Sequence, residues 1–115
     1  VTADAPALPG VLAEIAEVAG RDAAIRVALE LGGAETHLPK ARYLAQHPEH
    51  PLFRVLTDAS AALRVAERVG GGSVYIPMAH RACAVHLAAA GEAAPAIAAR
   101  LGIAVTTARR YMRGA

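Results

Sequence analysis

The chain has 115 residues, 55% of them apolar and only 3% aromatic, with no tryptophan. This length holds one compact domain or two very small ones, and a core of Ala, Val, Leu and Ile suits close-packed helices rather than a β-sandwich. The apolar runs break well before the roughly 18 residues a membrane span needs. No segment reads as a signal peptide, and the single cysteine, Cys83, has no partner for an internal disulfide. A cytoplasmic chain without a membrane partner is expected. The net charge of +2 is unevenly spread. Residues 1–39 set Arg21 and Arg26 against six acids, whereas residues 81–115 set Arg81, Arg100, Arg109, Arg110 and Arg113 against Glu92 alone. A basic terminal segment points to an anionic partner for that segment.

In chain order, Pro6 and Pro9 mark a loose start. Residues 11–19 place Leu12, Ile15 and Ala19 on one helical face, ended by Gly20. Asp22 is a cap or first-turn acid for the next helix. An internal repeat follows, with a gap-free spacing of 38 residues. Ala23, Ala24, Arg26, Val27, Ala28, Gly32 and Gly33 recur as Ala61, Ala62, Arg64, Val65, Ala66, Gly70 and Gly71, and Pro39 recurs as Pro77. Each copy reads as a helix stopped by a glycine pair in a left-handed cap, then a short strand ending before proline. Leu38 and Ile76 are expected to be extended, because a proline bars its predecessor from helical geometry. The two strands need partners. They can pair with each other in one chain, or each with its copy in a second chain.

Between the copies, residues 46–51 form a proline-rich connector. Pro51 opens a helix through Leu52, Phe53 and Leu56, and Thr57 or Asp58 opens the second repeat helix. After Pro77, three helices are expected. The first runs from about His80 to Ala90 and stops at Gly91. The second starts near Pro95 and turns Ile97, Ala98 and Leu101 inward. The third starts after Ile103, with Gly102 in the tight turn between the last two. Ala108, Tyr111 and Met112 form the packing side of that third helix. Thr106, Arg109, Arg110 and Arg113, at i, i+3, i+4 and i+7, form a polar, basic stripe. A helix entering the major groove needs such a stripe: arginine takes guanine or phosphate, and threonine meets a phosphate or a thymine methyl. The bland alternative is a solvated helix of an ordinary bundle. Ala104, the expected cap, has no side-chain acceptor.

Other chemistry is poorly served. His80, Cys83 and His86 drift about 120° around a helix and do not converge on one ion. A Cys83–His86 nucleophile pair lacks an orienting acid and an oxyanion site. Gly70, Gly71 and Gly72 precede a strand and no lysine follows, unlike a phosphate loop. No catalytic residue, metal or cofactor is expected.

The run Gly70, Gly71, Gly72, Ser73, Val74, Tyr75, Ile76, Pro77, followed by a helix-turn-helix over residues 97–112, resembles the Mor transcription activator family of phage Mu and related prophages. The resemblance covers roughly residues 52–113, and the first repeat extends it. It implies an N-terminal dimerisation region, strands that pair across the dimer, a C-terminal DNA-binding region, and recruitment of RNA polymerase at a phage promoter. Carried over, Ser73 and Tyr75 lie on a strand near the DNA, and Thr106, Thr107, Arg109, Arg110 and Arg113 lie on or beside the reading helix.

The resulting expectation is a mainly α chain. Residues 1–79 form a helical dimerisation region with two short strands, and residues 80–115 form a helix-turn-helix. Its function is sequence-specific binding of double-stranded DNA in transcription, as a prophage-type activator. The rival is a prophage protein-interaction or assembly module. A homodimer is expected, joined through Val74 and Ile76 and presenting an apolar face to the second copy, because one reading head contacts only a few base pairs.

Overall fold

The computed structural model describes residues 6–113. They are mainly helical, with one two-stranded antiparallel sheet among the described residues. None of the described helices is long and apolar enough to cross a membrane. Contacts divide the chain after Met78 into two compact units, residues 9–78 and residues 79–113, the latter joined by residues 6–8.

The first unit contains α1 (Val11–Ala19), α2 (Arg21–Leu31), β1 (Ala34–Leu38), α3 (Ala41–Ala45), α4 (Pro51–Leu56), α5 (Ala59–Val69) and β2 (Gly72–Ile76). Its core is apolar throughout: Leu12, Ile15, Ala24, Ile25, Val27, Leu38, Leu44, Leu52, Leu56, Ala62, Val65 and Ile76 are buried. Ala23, Ala24, Val27 and Ala28 face inward on α2, and Ala61, Ala62, Val65 and Ala66 repeat that face on α5. These small side chains let helices approach closely. Asp58 caps α5, its carboxylate accepting from the Ser60 and Ala61 backbone N–H groups at 2.9 and 3.3 Å. Asp58→Ala is expected to cost about 1 kcal/mol, measured by urea unfolding, because two helix-end donors lose their acceptor.

Three sequence expectations change. First, β2 pairs with β1 of its own chain, in the register Ala34↔Ile76, Thr36↔Val74, Leu38↔Gly72. The strand pairing expected between two copies is therefore made within one. Ile76, expected at a dimer interface, is fully buried in the chain's own core, and Val74 is half-buried beside it. Second, the glycine that directly follows each repeat helix is not left-handed. Gly32 (φ −63°, ψ 149°) and Gly70 (φ −80°, ψ 170°) are extended, and positive φ falls on the next residues, Gly33 and Gly71. Gly32 and Gly70 are needed for space instead. A Cβ on Gly70 would run into the carbonyl oxygens of Pro39 and Ala66, and one on Gly32 into those of Pro77 and Ala28. Third, α3 is a short helix that the sequence pattern does not announce.

Candidate nucleic-acid interface

The second unit is built from α6 (His80–Ala89), α7 (Ala94–Leu101) and α8 (Val105–Arg113), and each of the three packs on the other two. Pro95 lies in the first turn of α7, where a missing N–H costs nothing. Gly102 ends α7 in the left-handed conformation, φ 69° and ψ 35°, so the chain reverses within residues 102–104. Ile97, Ala98 and Leu101 of α7 are buried with Ala82, Cys83, Ala84 and Leu87 of α6. Ala108 of α8 is fully buried, and Tyr111 and Met112 are half-buried beside it.

That packing fixes the rotation of α8. Thr106, Arg109, Arg110 and Arg113 all fall on its exposed face, and Thr107 is half-buried at the margin. No acidic residue lies on α8. Among the described residues, no ion pair or hydrogen bond engages Arg109, Arg110 or Arg113, and Arg110 stands over the Tyr111 ring at 5.6 Å. Arg100 differs: it pairs with Glu92 at 3.5 Å, at the two ends of the segment that leads into and along α7. Arg81 is exposed on α6. The stripe is thus a band of three guanidinium groups and a hydroxyl, with no internal carboxylate to satisfy it.

Ser73 and Tyr75 lie in the other unit, on the exposed face of β2. The register sets Glu35 opposite Tyr75 and His37 opposite Ser73. A carboxylate therefore stands beside Tyr75, on the face that was expected to meet a polyanion, and the β-strand face is electrostatically poorer than α8. Composition had no means of revealing Glu35 there, because only the strand register brings it across.

Cys83 is fully buried in α6, and burial pushes its thiol up to about 11, partly offset by the nearby charge of Arg100. A buried thiol held protonated in this way suits packing rather than nucleophilic attack. The folded chain holds this proton at a pH where the unfolded chain gives it up. The associated stability is complete below about pH 9 and is lost as pH rises towards about 11. Across that window the wild type should lose on the order of 2 kcal/mol more than Cys83→Ala, read from thermal unfolding at each pH.

Comparison with known proteins finds no matching family profile, no matching curated protein and no matching solved structure.

Proposed function

We propose that this chain is a sequence-specific regulator that binds double-stranded DNA, with α7 and α8 as a helix-turn-helix and α8 as the helix that enters the major groove. The observation that carries the reading is the stripe of Thr106, Arg109, Arg110 and Arg113: exposed, basic, and without a carboxylate partner. Guanidinium groups held this way have their donors available for guanine edges or phosphates. The left-handed Gly102 between two short packed helices supports it, since that reversal sets the second helix across the first. The resemblance to Mor activators adds the role: transcription activation of a prophage type, with RNA polymerase as a further partner. Dimerisation through Val74 and Ile76 is not part of the proposal, because β1 already occupies that edge of β2.

The test is selection of bound duplexes from a random-sequence pool by the full chain, followed by a salt titration on the enriched duplex. If the three arginines of α8 neutralise phosphates or approach them, log affinity falls against log salt with a slope of roughly −2 to −3. An enriched motif with that slope supports the reading. No enrichment, or a flat salt response, would overturn it in favour of a protein-interaction module.

A further inference from the structure

The two repeats of the first unit are related in an approximately two-fold way inside one chain. Adding 38 to the bounds of α2, Arg21–Leu31, gives those of α5, Ala59–Val69, and adding 38 to β1, Ala34–Leu38, gives β2, Gly72–Ile76. The strand register is centred on equivalent residues, Thr36 and Val74, and its ends exchange: Ala34↔Ile76 becomes Leu38↔Gly72. The main-chain and repeat-arginine contacts that cross between the copies come in matching pairs, whereas the ion pairs of Arg68 with Glu14 and Glu17 have no counterpart, because Glu30, Leu52 and Val55 stand at the equivalent positions. The Gly33 N–H donates to Ile76 O and the Gly71 N–H to Leu38 O, both at 2.7 Å. Arg26 donates to Leu56 O at 3.2 Å, and its equivalent Arg64 donates to Val18 O at 2.7 Å, so each repeat arginine reaches the last turn of the other copy's first helix. Gly33 lies against the Met78 side chain, and Gly71 against its equivalent Lys40. α1 packs on α5, and α4 on α2.

These are the reciprocal contacts of an isologous interface, in which residue i meets j and j meets i. Here a covalent connector, residues 46–50, joins the two halves. The symmetry stops after the strands. The position 38 residues before α6 is occupied by α3, and the chain then turns into the connector instead of a second α7–α8 pair.

We infer that this chain is a dimer core fused into one polypeptide, with one reading head among the described residues, so that one copy acts alone on a DNA segment without dyad symmetry. The inference rests on the proposed function for its DNA part and on the paired contacts for its assembly part. Strand backbone groups and helix ends that a partner subunit would satisfy in a symmetric dimer are satisfied here by the chain's other half.

Light scattering on the full chain at micromolar concentration, without DNA, tests the assembly part. The expected mass is that of one copy, 11.8 kDa. A mass of two copies would overturn the inference. The random-pool selection tests the DNA part. A motif without dyad symmetry, bound by one copy, supports the inference; a palindrome bound by two overturns it and leaves DNA binding standing. A pool that enriches nothing defeats the DNA part and the proposed function together, while a one-copy mass still upholds the fused core.

Discussion

Replacing Arg109 or Arg110 with alanine is expected to weaken binding to the selected duplex by about 1–3 kcal/mol each, or roughly 5- to 150-fold, and to relax the preference at one base position. That size is what one bidentate guanine contact would contribute if α8 enters the groove as proposed. Arg100→Ala should cost much less, because Arg100 is held by Glu92 and lies on the supporting helix α7. Arg81→Ala should resemble it, being on α6. The four variants, compared by fluorescence anisotropy at one salt concentration, separate a reading helix from a diffuse basic surface. Equal and small losses for all four would remove α8 from the reading role. Because all four side chains are at the surface, unfolding is not expected to confuse the comparison.

Gly70→Ala is expected to be among the most damaging single methyl groups in the first unit. The backbone angles at Gly70 suit alanine, so strain in φ is not the cause. The cost is collision: the new Cβ meets the carbonyls of Pro39 and Ala66, both main-chain atoms that cannot swing aside. Relief requires separating the end of α5 from the segment after β1, which loosens the Gly71 N–H to Leu38 O bond. A loss of roughly 3 kcal/mol, at the upper end for overpacking, is expected. For a domain this small, that is a fall in Tm of well over 10 °C. Gly72→Ala is the control. Nothing lies within 4 Å of its Cβ position and its φ is not positive, so that variant should be within about 0.5 kcal/mol of wild type. By two-fold equivalence, Gly32→Ala should behave like Gly70→Ala. Similar small effects at Gly70 and Gly72 would contradict the close approach.

The helical character, the repeat and the basic stripe were legible in the sequence, because each is written as periodicity or as recurrence of particular residues. Ala108 inward and Arg109, Arg110 and Arg113 outward follow from the helical period alone. The choice of strand partner was not legible. A strand pairing with its repeat copy in the same chain, or with its own copy in another, presents the same inward and outward side chains, so Leu38 and Ile76 look alike in either case. Nor was the use of the glycines legible: whether Gly70 serves φ or space depends on Pro39, which the fold brings up from 31 positions earlier. α3 was hidden because its five residues carry a single buried anchor, Leu44, too few for a period to appear. Glu35 beside Tyr75 emerged only with the register, and it moves the weight of the candidate interface from β2 to α8.

Backbone amide shift mapping of the full chain, titrated with the selected duplex, decides whether α8 is the helix that meets DNA. The largest perturbations are expected on residues 105–113 and the adjoining turn at 102–104, with the exposed face of β1 and β2 little affected. Perturbations centred on Glu35, His37, Ser73 and Tyr75, or none on α8 at saturating duplex, would contradict it.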